Sequence, residues 1–266
     1  MRIAVEHKSQ YRFTEPQSRI VQMLRLTPSD TIDQTVVSWM ISVECDARLR
    51  DAVDGYGNAV TMLYAEGPIE EIEVSVSGEV LTLEASGVIR GADEPLPPLF
   101  YCRATPRTKP STELADFAAG FGGDPLDRLH RLNAALFERF PQVPDKPDRG
   151  VSAAQAFRRK AITSREITQV FIAGARSLGV PARYVSGYRA DSGSPCAPHG
   201  WAEAWVDGLG WVGFDPSAGL SPDERYVRVA VGLDSAGAAA IAGWRLGHGD
   251  EQLDVDLHVD DLGREE

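Results

Sequence analysis

The stretch His199-Gly200-Trp201-Ala202-Glu203-Ala204-Trp205-Val206-Asp207-Gly208-Leu209-Gly210-Trp211-Val212-Gly213-Phe214-Asp215-Pro216 reads as two strands joined by a short turn. Aromatic and β-branched residues fill both arms, and Asp207-Gly208-Leu209-Gly210 supplies the turn. His199 stands just before the first strand and Asp215 closes the second. Histidine is the usual general base near neutral pH, and a carboxylate on its second nitrogen fixes tautomer and orientation. Whether the two meet depends on register. A three-residue loop, Gly208-Leu209-Gly210, sets Asp215 opposite Glu203, on the face of His199. A four-residue loop, 207–210, sets it opposite Ala202 on the other face, because a slip of one residue turns every side chain over. Without the meeting, His199 is an exposed strand-edge residue and Asp215 caps the Pro216 turn.

Upstream of the hairpin the spacing predicts a helix over 164–178. Ile167, Val170, Phe171 and Leu178 lie on one helical face, and Gly179 and Pro181 stop it. Thr163-Ser164-Arg165-Glu166 fits a capping box, with Thr163 as the cap and Glu166 reaching back to its amide. A strand follows at 182–188. Further helices are expected from Ser111 and Pro125, the latter to about Phe140, and a short one over 151–158. Five prolines (Pro95, Pro97, Pro98, Pro106, Pro110) mark a boundary. Before it the chain reads as β, with strands at 36–43, 59–64 and 72–80 and a turn cluster at Asp54-Gly55-Tyr56-Gly57-Asn58, which suggests a sandwich. The tail alternates over 253–259 and should be a last strand. The fold class is therefore α+β: a β-sandwich-like domain over 1–104, a second domain over 105–235, and a C-terminal strand segment with an acidic tail over 236–266.

The chain has 266 residues and a formal net charge of −12, which disfavours a phosphate-reading nucleic-acid binder. Cys45, Cys102 and Cys196 are odd in number and far apart, so neither a disulfide framework nor a zinc ribbon is supported. The histidines are equally scattered, and no metal or other cofactor is expected. The N-terminus has no apolar run of signal-peptide length, and no run approaches the ~18 apolar residues of a membrane span. A cytoplasmic protein without membrane or nucleic-acid partners is the expectation.

Three motifs in order, Leu178-Gly179-Val180-Pro181-Ala182-Arg183-Tyr184-Val185-Ser186-Gly187-Tyr188, His199-Gly200-Trp201-Ala202-Glu203-Ala204-Trp205 and Gly208-Leu209-Gly210-Trp211-Val212-Gly213-Phe214-Asp215-Pro216, resemble the bacterial transglutaminase-like proteins. Leu24-Arg25-Leu26-Thr27-Pro28 and the Asp54–Asn58 cluster resemble the β-rich N-terminal region of the same two-domain proteins. The resemblance implies a papain-like fold with a Cys-His-Asp triad whose cysteine opens a central helix. It places His199 as general base and Asp215 as the residue that orients it.

The third position departs. Where the family has Gly-Val-Cys-Gln-Asp-Phe-Ala-His, this chain has Ile162-Thr163-Ser164-Arg165-Glu166-Ile167-Thr168-Gln169, so Ser164 takes the nucleophile position. Two readings follow. The site is catalytically impaired and keeps a peptide- or amide-binding cleft, or Ser164, His199 and Asp215 form an active acyl hydrolase or transferase for amide or ester bonds. Cys196, three residues before His199, is the nearby thiol, a displaced nucleophile or an incidental loop cysteine. Trp201, Trp205 and Trp211 wall a cleft or pack the strands. The resemblance also implies an ATP-grasp-like ligase as a partner.

Overall fold

The computed structural model describes residues 1–144, 150–190 and 198–263. In chain order its elements are strands β1 (Arg2–Leu24), β2 (Gln34–Val43), β3 (Ala47–Val53) and β4 (Ala59–Thr82), helices α1 (Thr112–Ala119), α2 (Pro125–Arg139), α3 (Ala153–Ala156) and α4 (Ser164–Ser177), then strands β5 (Ala182–Arg189), β6 (His199–Val206), β7 (Gly210–Phe214), β8 (Tyr226–Gly232), β9 (Ile241–Leu246) and β10 (Glu251–Asp261). The organisation is α+β, with a β-rich first region and a papain-like core after it.

The first region is a six-stranded sheet in which the long strands β1 and β4 run through both halves. β10 and β2 flank them at one end, β9 and β3 at the other. Register shifts between Arg12 and Arg19 break the ladder midway, as bulges do where a strand bends. Trp39 on β2 donates its indole N–H to the carbonyl of Leu26, past the far end of β1, at 3.0 Å. The sheet thus doubles over a core that includes Ile20, Leu24, Leu63, Ile72 and Val74. The strands expected at 59–64 and 72–80 are one strand, β4. β1 escaped notice because two of its inward positions carry the polar His7 and Ser9, which hide the alternation of Ile3, Val5 and Tyr11. The tail strand is β10, and both tail strands pair with β1.

The second sheet runs β7-β6-β5-β8. Helix α4 packs against it and is buried almost all round; Val170, Phe171, Ile172 and Ala173 are wholly inaccessible. Such a helix belongs at the centre of a domain. Gly174 lets Leu132 of α2 come close, since a Cβ there would sit 3.2 Å from a Leu132 methyl. The hairpin has a register that neither sequence alternative contains. Val206 pairs with Gly210 and Glu203 with Gly213, so the loop is Asp207-Gly208-Leu209. Gly208 adopts φ +85° and the Leu209 N–H returns to the Val206 carbonyl at 3.0 Å, the geometry of a type II turn with glycine in third position. That turn shifts the loop by one residue.

The two sheets share a core of Ile3, Val5 and Val80 with Tyr188, Val227 and Val229. Two side-chain amides then cover the edge of β8. Gln34 donates to the Arg228 carbonyl at 2.9 Å and accepts from its N–H at 2.8 Å. Asn58 does the same for Val231, both at 2.8 Å. A sheet edge otherwise left with open donors and acceptors is thereby closed. Asn58 is itself held by Asp54 of the turn cluster.

Candidate active site

The opening turn of α4 is built by local chemistry. Thr163 caps the helix by accepting from the Glu166 N–H at 3.2 Å, and Glu166 accepts from the Thr163 N–H at 3.0 Å. Arg159 holds the other Glu166 oxygen at 2.6 Å. Ser164 is consequently the first helical residue, where the helix dipole is positive. One turn on, the Thr168 hydroxyl lies 2.8 Å from the Ser164 carbonyl and 3.1 Å from the carbonyl of Gly200, the residue after His199. This hydroxyl docks the start of α4 against the start of β6.

The hairpin register extends to set Asp215 level with Trp201, the next position after His199 on the same face. His199 Nε2 lies 2.6 Å from Asp215 Oδ2. Asp215 is fully buried and takes three further donors. The Tyr226 hydroxyl reaches Oδ2 at 2.8 Å, and the Ser217 N–H and hydroxyl reach Oδ1 at 2.9 and 2.6 Å. Burial by itself would raise the carboxyl; the neighbouring His199 and these hydrogen bonds outweigh it and hold the group down to about 2. A carboxylate can only accept, so Nε2 carries the proton and a neutral ring presents Nδ1 as its acceptor. The Tyr226 phenol is pushed far above its usual range, first by burial and then by the charge of Asp215, so it remains a donor.

Aromatic packing limits the ring's freedom. Trp201 stacks near His199 at 6.2 Å between centroids and Tyr226 stands edge-on at 5.8 Å. Trp201 is thus next to the site, whereas Trp211 is buried beneath Arg183, 3.9 Å from the guanidinium carbon, and Trp205 packs on Trp211. Tyr226 and Ser217 had no sequence signature: Ser217 reads as a turn residue, and Tyr226 comes from β8, whose place beside β5 is a long-range pairing. Cys196 and the stretch 192–195 lie outside the described residues, as does the acidic end Glu265-Glu266. Among the described residues, no cluster of three or more His, Cys, Asp or Glu side chains is placed to hold a metal, and no helix is long and apolar enough to cross a membrane.

Of the other residues where the family pattern is broken, Ile162 is wholly buried in the core. Gln169 is likewise buried, donating to the Val151 carbonyl at 3.3 Å and accepting from the Ser235 hydroxyl at 3.1 Å.

A central helix opening against a histidine–carboxylate pair on an adjacent antiparallel sheet defines a papain-like fold. Residues 3–81 match the bacterial transglutaminase-like N-terminal region and residues 113–216 the transglutaminase-like superfamily. Residues 113–216 are thus a transglutaminase-like superfamily core. The chain is 26% identical over 281 residues to an uncharacterized protein of Mycobacterium leprae, spanning 97% of this chain and 98% of that one. An uncharacterized protein of Mycobacterium tuberculosis is 21% identical over 300 residues, spanning 97% and 92%. A solved structure from Cytophaga hutchinsonii, described as a candidate cysteine protease, superposes with a TM-score of 0.81 at 18% identity, covering 100% of this chain and 92% of that one. That likeness establishes the fold.

Proposed function

We propose that this protein is a transglutaminase-like protein with a catalytically impaired site: it retains the His199–Asp215 pair and a peptide- or amide-binding cleft, and Ser164 stands where the family has its nucleophilic cysteine. One observation carries the reading. Ser164 is the first residue of α4, in a capped turn, while its neighbours Ile162 and Gln169 serve packing and hydrogen bonding. The physical consequence is large. A thiol beside histidine at a helix N-terminus ionises before attack, its pKa falling from ~8.5 to as low as ~3.5. A serine hydroxyl does not ionise; it must lose its proton during attack, with matched base geometry and oxyanion donors. A slot shaped for sulfur also sets the shorter C–O bond back from the substrate.

The alternative is an active Ser-His-Asp acyl hydrolase or transferase. The 2.6 Å contact between His199 and Asp215 favours it, because that pair has the geometry of a working general base. Hydrolysis of amide and ester substrates by wild type and Ser164→Ala decides between them. An impaired site gives wild type no more activity than the alanine variant. Wild-type hydrolysis that vanishes in Ser164→Ala establishes the serine enzyme.

The reading extends to a cytoplasmic location, supported by the free thiols of Cys45 and Cys102, and to an ATP-grasp-like ligase partner, which co-purification from the native host would test.

A further inference from the structure

A cavity of about 300 Å³ opens beside His199, and most of its wall comes from outside the transglutaminase-like core. β1 contributes Tyr11, β10 contributes Leu253 and Val255, and the segment before β9 contributes Ala239. Leu253 and Val255 remain 47% and 46% exposed, so apolar surface faces this space and is open to solvent. On the core side, β5 supplies Tyr184 and Ser186. Arg165 and His199 border the cavity, and among the described residues no carboxylate lines it, although the chain carries a net charge of −12.

We propose that this cavity is a side-chain pocket of the binding cleft, taking a bulky uncharged side chain, aromatic or branched aliphatic, from the bound peptide or amide; the proposal rests on the reading of His199 as part of that cleft. Its volume suits such a group, since ligand pockets begin at about this size. The apolar walls reward burial of hydrocarbon, and burying a charged side chain against them is costly. The N-terminal sheet and the tail strand β10 would thus select the substrate, while the core carries the histidine.

Blocked amino-acid amides test this by binding alone. N-acetylphenylalaninamide, N-acetylalaninamide, N-acetyllysinamide and N-acetylglutamic acid amide are titrated into wild type, Ser164→Ala, Ala239→Phe and Leu253→Asn, following chemical shifts by NMR. The phenylalanine probe is expected to bind wild type and Ser164→Ala equally, about tenfold or more tighter than the alanine and lysine probes, as burial of a large apolar side chain implies. Ala239→Phe, which fills the pocket, and Leu253→Asn, at an exposed position that tolerates change, should each abolish the preference. Equal binding of all four probes, tightest binding of the glutamic acid probe, or a preference that survives both pocket variants overturns the proposal. Because no reaction is read, failure here leaves the account of Ser164 standing, and a hydrolytically active wild type would leave the pocket standing.

Discussion

The Tyr226 hydroxyl donates to the same Asp215 oxygen that holds His199, at 2.8 Å against 2.6 Å. One carboxylate oxygen thus ties β8 to the start of β6 and fixes the imidazole from behind. Tyr226→Phe removes a buried hydrogen bond to a charged group and little else. The expected cost is about 1.5–3 kcal/mol of stability, read by urea unfolding. A loss within experimental error would mean that the hydroxyl does not hold Asp215.

Acid should weaken the fold through two buried carboxylates. Glu203 sits between Arg183 and Arg228, each at 2.7 Å. Burial would raise its carboxyl, but the two guanidiniums bring it down to about 2, as His199 and its companions do for Asp215. Both groups bind fewer protons folded than unfolded in the interval above 2. Their stabilisation is complete above the ordinary values of 4.5 and 3.8 and is lost as pH falls toward 2. Glu203→Gln leaves Arg228 without its counter-charge and Arg183 with Glu94 alone; it should cost about 3–5 kcal/mol at neutral pH, with a shallower acid limb. An unchanged acid limb would contradict the assignment.

His7 acts in a different window. It is buried between the Tyr188 hydroxyl and the Ser9 hydroxyl, both at 3.0 Å, and burial lowers its pKa from 6.5 to about 4. The unfolded chain therefore takes up a proton near 6.5 that the folded chain refuses until about 4. Stability should fall by roughly 3 kcal/mol as pH drops through that range. His7→Gln keeps polar contacts without titrating, and its unfolding free energy should be flatter between pH 4 and 6.5. Equal slopes in the two proteins would count against a neutral His7.

The side-chain clasps on β8 give a mechanical test. Gln34→Ala and Asn58→Ala each leave a backbone N–H and C=O of β8 without partners. Each should cost about 2–4 kcal/mol and raise hydrogen exchange at Arg228 or Val231 respectively. Exchange that stays slow in both variants would show that the edge is covered by something else.

What was legible in the sequence was local. The capped start of α4 follows from Thr163 and Glu166, and the β6–β7 hairpin from the Gly208 turn, because caps and turns use neighbouring residues. The register of that hairpin was not legible, since a type II turn placed the loop at 207–209 and set Asp215 level with Trp201, one step beyond the Ala202 pairing. β1 was hidden by His7, which points inward to meet Tyr188 of the other sheet, and by Ser9, which bonds His7. Tyr226 was invisible for the same reason: its contact with Asp215 depends on where β8 lies, which only the assembled sheets determine.

On the proposed reading, position 164 is a nucleophile slot facing His199 and Asp215, disarmed by serine. Alkylation of Ser164→Cys by iodoacetamide across pH tests it most directly, with wild type subtracting the native cysteines. A thiol at 164 is expected to react as thiolate well below the usual ~8.5 and to return toward it when His199→Ala is added. A cysteine at 164 that titrates as an ordinary thiol, with or without His199, would contradict it.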